Sequence, residues 1–374
     1  MHKSNKNIIA VGMSGGVDST VAVFLLKKQG FTVIGLTMKI WDGSVKCSST
    51  KSGCYGPNEA DDIANAVAIA AKLGIEHYTV DLCGEYNETI IEYFRDEYAN
   101  GRTPNPCIVC NTKIKFGALI EKAASSGIEF DYFATGHYAR IQYDTDISKY
   151  LLKRGIDATK DQSYFLYRLS QKQLEKTLFP LGDYLKSEIK DIALESGFED
   201  LLKKPESQDF FECDDYGELL NYRGKPGNIK DIEGNIIGVH KGIAFYTIGQ
   251  RKTLNLSGMK EPFYVLRIDA GQNEIIAGPK CHLLNNTLIA GDLKWIIPFN
   301  PLENKTLSAQ IRYRNKPAEC VVSIADNGSL IVRFSGPQEA ITPGQSVVLY
   351  DGDTVIGGGI IIAPAKHHLT YLKA

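Results

Sequence analysis

Residues 12–19, with the sequence GMSGGVDS, place adjacent glycines, hydroxyls and a carboxylate between an apolar strand pattern and an apolar helix pattern. Glycine permits positive φ and close approach of the backbone to a ligand. Free N–H groups and the dipole at a helix start favour an anion, and Ser14 and Ser19 could add hydroxyl donors. The pattern predicts a phosphate-binding loop. The plainer alternative is a tight turn with a Ser or Asp N-cap. Neither a Walker loop nor the dinucleotide fingerprint is present.

A second candidate lies at residues 101–116, with the sequence GRTPNPCIVCNTKIKF. Its two prolines predict a rigid, extended stretch. Cys107 and Cys110 follow, three positions apart, before a helix predicted to begin near Lys113. A thiol beside Lys113 and Lys115 and near a helix N-terminus should shift toward the nucleophilic thiolate.

The chain contains eight cysteines in 374 residues, which argues against a disulfide scaffold and for metal or thiol chemistry where they cluster. One alternative for the paired cysteines above is half of a zinc site, completed by Cys47 and Cys54. The six-residue spacer of that second pair is long for zinc. Cys47 and Cys54 lie in an insertion between the second strand and the next helix, and their role as redox-active, metal-binding or incidental residues stays open. Cys83, Cys281 and Cys320 stand alone in strand-like surroundings, and we expect them only to pack.

Alternating strand and helix patterns over residues 7–140 predict a parallel sheet covered on both faces. Residues 165–202 read as helical. From residue 224 short strands alternate with glycine turns, and from about 286 strands joined by DNG and DGD turns predict an antiparallel barrel. We therefore predict an α/β domain at 1–206, a small β-rich domain at 207–283 and a terminal β-barrel at 284–374.

The composition is that of an ordinary globular protein, with 43% hydrophobic and 23% charged residues. A formal net charge of −2 gives no global basic field, so a nucleic-acid surface would be a local patch. No apolar run approaches the roughly 18 residues of a membrane span, and the N-terminus lacks the features of a signal peptide. We expect a cytoplasmic protein.

The motif SGGVDS resembles the pyrophosphate-binding loop of the ATP pyrophosphatases, which release AMP and pyrophosphate after adenylating a substrate oxygen. The cysteine loop closely resembles that of the tRNA-specific 2-thiouridylases (the MnmA/TrmU family). Further matches follow in order along nearly the whole chain: ATGHYAR, KDQSYFLY, KPESQDF, YTIGQRK, AQIRYR and PGQSVVLYD. The resemblance implies a Rossmann-like domain of the adenine nucleotide alpha-hydrolase type, followed by the two β domains.

The implied activity is ATP-dependent, with Mg²⁺, and acts on the wobble uridine, position 34, of tRNAs for Lys, Glu and Gln. The C2 oxygen is adenylated and then replaced by sulfur from a cysteine persulfide, giving 2-thiouridine, AMP and pyrophosphate. A sulfur-carrier protein or a cysteine desulfurase is the implied sulfur donor.

The resemblance also assigns residues. Those implied for ATP are Gly12, Met13, Ser14, Gly15, Gly16, Val17, Asp18 and Ser19, with Met38 and Gly136 around the adenine or ribose. Cys110 matches the family nucleophile, and Asp18 is counted with the catalytic residues. Those implied for tRNA are Asn105, Pro106 and Cys107 at the target base, and His137, Lys160, Asp161, Gln162, Arg312, Tyr313 and Gln345 elsewhere.

The sequence departs from the family pattern at residues 207–213, which read SQDFFEC. Phe211 stands where the family carries a second cysteine, and Cys213 comes two residues later, on the same side of an extended strand. Cys107 stands where many members carry Asp. Three schemes follow: Cys213 takes the persulfide and ends in a disulfide with Cys110; Cys107 and Cys110 do the redox work; or all three cysteines hold an iron–sulfur cluster, such as [4Fe-4S], that carries the sulfur.

Two rival functions remain at the level of sequence. Another adenylating member of the superfamily would act on a free nucleotide or amino acid, but it has no reason to carry the cysteine loop or the barrel. A non-catalytic tRNA-binding module with a structural zinc site has no reason to keep Gly15, Gly16, Asp18 and Ser19 intact.

Overall fold

The computed structural model describes residues 7–45, 47, 51–203, 209–213, 216–220, 224–259, 261–299 and 305–365. Ser207 and Gln208 of the departing motif, and the domain boundary predicted at 206/207, lie outside these residues. The chain divides into two compact units. Unit 1 takes in Met1–Ile90, Pro106–Glu218 and Asp353–Val355, and unit 2 takes in Ile91–Asn105, Leu219–Gly352 and Ile356–Ala374.

The strands of the described residues are β1 (Ile8–Gly12), β2 (Thr32–Lys39), β3 (Glu76–Asp81), β4 (Tyr132–Thr135), β5 (Ala139–Asp144), β6 (Lys149–Arg154), β7 (Thr177–Leu178), β8 (Gly227–Lys230), β9 (Ile236–His240), β10 (Phe263–Asp269), β11 (Glu274–Pro279), β12 (Leu284–Trp295), β13 (Leu307–Gln310), β14 (Ala318–Ile324), β15 (Leu330–Glu339), β16 (Ser346–Asp351) and β17 (Thr354–Pro364).

The α-helices of the described residues are α1 (Val17–Lys28), α2 (Glu59–Leu73), α3 (Cys83–Tyr86), α4 (Glu92–Ala99), α5 (Pro106–Val109), α6 (Leu119–Ser125), α7 (Gln171–Glu175), α8 (Lys186–Glu195) and α9 (Tyr216–Leu220). Wide, π-type turns at Asn87–Ile91 and Cys110–Ala118 join α3 to α4 and α5 to α6. No helix in the described part of the chain is long and apolar enough to cross a membrane.

Unit 1 is built on a five-stranded sheet in the order β3-β2-β1-β4-β7, and each neighbouring pair is parallel. The run of β1 is apolar throughout because both faces of the strand are covered. Val21 and Leu25 of α1 and Ile189 of α8 lie in the core beside β1. The predicted parallel sheet is confirmed.

Two parts of unit 1 differ from the sequence prediction. The two-residue strand β7 lies inside the stretch that was predicted to be helical, where it pairs with β4. The hairpin of β5 and β6, which the strand–helix pattern did not predict, follows β4 directly. Thr354 pairs with Lys153 of this hairpin.

Unit 2 contains a small sheet in the order β10-β11-β8-β9 and a closed barrel of six strands. The barrel order is β12-β15-β14-β13-β16-β17, and β12 pairs with β17 to close it. Its interior is filled by alternating side chains such as Leu288, Val332 and Leu349, all fully buried. The predicted β-rich middle region and antiparallel barrel are confirmed.

Candidate active site

The glycine loop follows β1 at the carboxyl edge of the parallel sheet. Gly15 adopts φ +70°, and a Cβ there would lie 2.9 Å from the carbonyl oxygen of Asp62 in α2. Gly16 is the N-cap residue of α1, and no side chain caps that helix. The alternative of a Ser or Asp N-cap is therefore wrong, and the first N–H groups of α1 are left for a ligand.

Gly136 closes the same edge from β4. A Cβ at this position would lie 2.8 Å from the carbonyl carbon of Asp18 and 2.9 Å from the amide nitrogen of Ser19. Only glycine lets the two backbones approach so closely. Met38, half-buried near the end of β2 on the other side of β1, lies at the carboxyl edge of the same sheet.

Asp18 has two partners that the sequence analysis missed. Lys186 Nζ lies 2.7 and 2.9 Å from its two carboxylate oxygens, and the Tyr138 hydroxyl donates to it at 2.8 Å. Lys186 is 7% exposed, so its ammonium group is held largely out of water. The available signal was its position in the first turn of α8, where the helix dipole disfavours a cation. The contact fixes the carboxylate beside the glycine loop.

The cysteine helix begins at Pro106, not near Lys113, because proline is well suited to the first position of a helix. Cys107 and Cys110 thus lie inside its first turns. From Cys110 the helix widens into the π-type segment, as often happens at functional sites. The amide of Gln173 donates to the carbonyl oxygens of Thr112 at 3.0 Å and Phe116 at 2.9 Å. Gln173 thus supports this segment, and no local pattern points to it in the sequence.

The expected shift of these thiols toward thiolate is wrong. Burial raises the pKa of Cys110, and the opposing effect of Lys115 is smaller. Burial, with a lesser contribution from Cys110, raises the pKa of Cys107 to about 12. Desolvation of a charged sulfur outweighs one nearby cation. Both cysteines are protonated at neutral pH in this structure.

His137 lies in the same unit and is uncharged at neutral pH. Burial and then the Lys115 ammonium hold its pKa well below the ordinary value. Its Nδ1 lies 2.7 Å from the hydroxyl oxygen of Thr135, and its ring packs near Phe116 and Phe179. His137 therefore supplies no positive charge at neutral pH, and its contact with tRNA stays a prediction.

Residues 160–162 form the turn after β6. Asp161 accepts hydrogen bonds from the amides of Gly155 at 3.1 Å and Ser163 at 3.0 Å, and burial raises its pKa. Gln162 pairs with both backbone groups of Tyr138. The Lys160 amide donates within the same turn. These contacts shape the turn, and binding of tRNA by this segment stays a prediction.

Three further residues predicted to contact tRNA, together with Asn105, lie in unit 2. Arg312 and Tyr313 follow the end of β13 in a turn rather than continuing the predicted strand, and Arg312 donates to the carbonyl oxygen of Ala340 at 2.9 Å. Gln345 donates to the carbonyl oxygens of Thr103 at 3.0 Å and Pro104 at 2.8 Å. The Asn105 amide donates to the Tyr93 hydroxyl. Their contact with tRNA stays a prediction.

Phe211 packs among aromatic rings, whereas Cys213 forms a disulfide. Phe211 is fully buried, with the rings of Tyr55 and Tyr216 about it. Cys213 is joined by a disulfide to Cys47, with 5.3 Å between their Cα atoms. The sequence left the role of Cys47 open, and this pairing was not predicted.

Within the described residues, one group of three side chains brings ligand atoms within 4.8 Å of one another: Cys47, Cys213 and Glu218. Cys107 and Cys110 are not part of it. The described side chains therefore do not form the proposed iron–sulfur ligand set of Cys107, Cys110 and Cys213. They do not form a four-cysteine zinc site with Cys47 and Cys54 either.

Comparison with known proteins covers almost the whole chain. A family model described as the tRNA methyl transferase HUP domain matches residues 7–213. A model described as the tRNA methyl transferase PRC-barrel domain matches 219–279, and one described as the aminomethyltransferase beta-barrel domain matches 285–361. The parallel sheet with its glycine loop thus belongs to the Rossmann-like HUP class of α/β domains.

Proteins similar over the whole chain identify the family within this class. A tRNA-specific 2-thiouridylase MnmA of Endomicrobium trichonymphae is 46% identical over 357 residues, which is 95% of this chain and 98% of that one. A tRNA-specific 2-thiouridylase MnmA 2 of Thermoanaerobacter sp. (strain X514) is 48% identical over 362 residues, with the same shares. A tRNA-specific 2-thiouridylase MnmA of Acetivibrio thermocellus is 44% identical over 364 residues, 96% of this chain and 99% of that one. The chain belongs to the MnmA family.

Proposed function

We propose that this protein is a tRNA-uridine 2-sulfurtransferase. It uses ATP to adenylate the C2 oxygen of the wobble uridine and replaces that oxygen with sulfur, releasing AMP and pyrophosphate. The observation that carries the proposal is the presence, in one unit, of an uncapped helix start behind a glycine loop and of a cysteine pair on a π-type helix. The first suits a nucleotide phosphate and the second suits thiol chemistry.

The glycine loop, residues 12–19, holds the phosphates of ATP, and Mg²⁺ bound with them neutralises their charge. Met38 and Gly136 border the adenine or ribose. Asp18, fixed by Lys186, lies in the first turn of α1 beside the phosphates. Cys110 is the nucleophilic thiol of the sulfur-transfer step. The support for the ATP-binding roles is the position of the glycine loop, Met38 and Gly136 at the carboxyl edge of the sheet, where open α/β sheets bind ligands.

The chemistry requires both halves of the site. The C2 oxygen of uridine is a poor leaving group until AMP is attached to it. A persulfide then holds the incoming sulfur in position for attack. A base in the single-stranded anticodon loop can be flipped into a pocket at modest unstacking cost. Transfer through an iron–sulfur cluster receives no support from the described ligand geometry, so no step is assigned to one.

The substrates proposed are tRNAs for Lys, Glu and Gln, in the cytoplasm, with a sulfur-carrier protein or a cysteine desulfurase as donor. The proposed contacts to tRNA are made by Asn105, Pro106, Cys107, His137, Lys160, Asp161, Gln162, Arg312, Tyr313 and Gln345. The three domains proposed above, at 1–206, 207–283 and 284–374, divide these contacts between the catalytic domain and the terminal barrel.

The test is an assay with ATP, Mg²⁺, a persulfide donor and tRNA for Lys, Glu or Gln, followed by digestion and mass spectrometry of nucleosides. We expect 2-thiouridine from the wild type and from Cys281→Ser, which changes an exposed cysteine in unit 2. Cys110→Ser should abolish it. Absence of 2-thiouridine with the wild type contradicts the proposal. Release of pyrophosphate with a free nucleotide or amino acid in place of tRNA would favour another adenylating activity.

A further inference from the structure

Residues 51–58, between β2 and α2, lie along residues 209–213. Tyr55 and Phe211 form a parallel β-bridge, in which the Tyr55 amide donates to the Phe210 carbonyl oxygen at 2.8 Å and the Glu212 amide donates to the Tyr55 carbonyl oxygen at 3.0 Å. Lys51 Nζ binds the Asp209 carboxylate at 2.9 Å. The two segments are therefore held together by both backbone and side-chain contacts.

This pairing places Cys54 beside the position where the family carries its second cysteine. Its Sγ donates to the carbonyl oxygen of Phe210 at 3.4 Å, one residue from the position where the family carries its second cysteine. Phe211 itself is apolar and fully buried, and the sulfur of Cys213 is bonded to Cys47. On this pair of segments, Cys54 carries the free thiol among the described cysteines.

The Cys54 thiol also shares its surroundings with the cysteine helix. It interacts electrostatically with the thiols of Cys107 and Cys110 and with the ammonium group of Lys115. The buried ring of Tyr86 stacks on Tyr55 with 5.1 Å between centroids, and its hydroxyl interacts with all three thiols. The three sulfurs therefore occupy one neighbourhood inside unit 1.

The three cysteines differ in access. Cys54 is exposed, Cys107 is partly exposed and Cys110 is buried. Solvent reaches Cys54 even though surrounding protein atoms, and then the Cys107 and Cys110 thiols, raise its pKa well above the ordinary value. An external sulfur donor can reach an exposed thiol, whereas a buried one suits a step that follows substrate binding.

We propose that Cys54 is the persulfide-carrying cysteine of this enzyme and that Cys110 is the thiol that releases the transferred sulfur. This inference rests on the proposed function and names the catalytic residue that replaces the family thiol missing at Phe211.

The sequence of bonds is as follows. A persulfide donor, R–S–SH, exchanges with the Cys54 thiol to give Cys54–S–SH and R–SH. The terminal sulfur loses its proton and attacks C2 of the adenylated uridine, and AMP leaves. Cys110 then loses its proton to water, and the resulting thiolate attacks Cys54 Sγ and breaks the bond between Sγ and the transferred sulfur. The sulfane sulfur is reduced by two electrons to the sulfur of 2-thiouridine, and the two thiols are oxidised to a Cys54–Cys110 disulfide. A dithiol reductant restores them.

The first test is a single-turnover assay with persulfide-loaded enzyme, ATP and tRNA, comparing Cys54→Ser, Cys54→Ala, Cys213→Ser and Cys281→Ser. We expect both Cys54 variants to lose 2-thiouridine formation by at least about 100-fold. They should still release pyrophosphate in a tRNA-dependent reaction, which shows that they fold and adenylate. Cys213→Ser should remain within about threefold of the wild type, as should Cys281→Ser. Loss with Cys213→Ser and retention with Cys54→Ser overturns the proposal.

The second test needs no variant. After one turnover without reductant, the wild-type enzyme is alkylated, digested and mapped by mass spectrometry. A linked Cys54–Cys110 peptide pair supports the proposal, and a Cys110–Cys213 or Cys107–Cys110 pair overturns it.

The two tests together separate this inference from the proposed function. If the wild type neither adenylates nor thiolates tRNA, the proposed function fails. If the wild type thiolates tRNA and Cys54→Ser does so equally, only this inference fails.

Discussion

At Cys110, burial and a neighbouring lysine act on the same thiol in opposite directions. Burial raises its pKa and Lys115 lowers it, with burial the larger effect. The buried sulfur is kept protonated until substrate or a further charge changes its surroundings. This arrangement protects a nucleophile from external oxidants and alkylating agents, because the thiolate is the reactive form.

This balance predicts the pH dependence of Cys110 alkylation. Since the pKa of the thiol is raised, the thiolate fraction at pH 7 is small, and the rate should climb as pH rises past 9. Lys115→Met removes the cation that lowers the pKa, so its profile should move to still higher pH. The rates are measured by iodoacetamide labelling and peptide mapping.

Lys113→Met is the matched control, because Lys113 is exposed and two residues away on the same helix. Its profile should coincide with that of the wild type. A Lys115→Met profile that moves to lower pH, or does not move, contradicts the assigned role of Lys115.

The contact between Asp18 and Lys186 gives a second prediction. Lys186→Met leaves the Asp18 carboxylate without its cation, which should lower the rate of tRNA-dependent pyrophosphate release by roughly 10- to 100-fold. Lys190→Met, on the exposed face of the same helix, should leave the rate unchanged. Equal rates for the two variants would show that Lys186 does not position Asp18.

Local sequence explains only part of the site. The glycine loop was predictable because glycines, hydroxyls and a carboxylate sit between a strand and a helix. The partners of Asp18 were not, because Lys186 is 168 residues away along the chain and Tyr138 is 120 away. The predicted direction of the pKa shift at Cys110 was wrong because burial depends on tertiary packing, which the local sequence pattern does not describe.

Among the elements, β4 and α1 are held in close contact through Gly136. The backbone of Asp18 and Ser19 leaves no space for a side chain there. The short distance between the end of β4 and the start of α1 therefore requires glycine at position 136. The same distance affects the geometry of the glycine loop.

Gly136→Ala should push these two elements apart. We expect the KM for ATP to rise by about tenfold or more, since small displacements of a binding loop weaken its contacts. Gly84→Ala is the control, because a Cβ at Gly84 of α3 meets no atom within 4 Å and its φ is not positive. ATP binding by Gly136→Ala equal to that of the wild type would contradict the close packing.

The longer elements were predicted well, and some of the short ones were not. β1 is an apolar run and the middle of β2 is buried, as expected of strands covered on both faces. β7 has only two residues and depends wholly on pairing with β4. The start of the cysteine helix was misplaced because prolines favour both extended stretches and helix starts.

On the scale of the whole molecule, unit 2 contains residues 91–105 as well as the two β domains. Its barrel segment at Pro343, Gly344 and Gln345 holds Thr103 and Pro104 by backbone and amide hydrogen bonds. One residue, Asn105, separates them from the cysteine helix in the chain. Within unit 2, the terminal barrel thus binds the end of the segment 91–105, which no local pattern in the sequence could reveal.

Gln345→Ala should loosen the segment at Thr103 and Pro104. Two carbonyl oxygens lose their donors, so amide exchange in a peptide spanning residues 98–106 should accelerate, and the thiolation rate should fall by about tenfold. Gln272→Ala, at an exposed position of unit 2, should change neither. Hydrogen exchange followed by mass spectrometry checks the first effect, and unchanged exchange in Gln345→Ala would contradict it.

The bridge between Tyr55 and Phe211 bears on how such enzymes diverge. Bridged segments lie side by side. During evolution a cysteine can therefore be lost from one segment and gained on the other while the thiol stays in the same part of the site. Genome surveys that demand a cysteine at the position of Phe211 would discard this chain as defective. A survey that tests both bridged segments for a thiol would retain it.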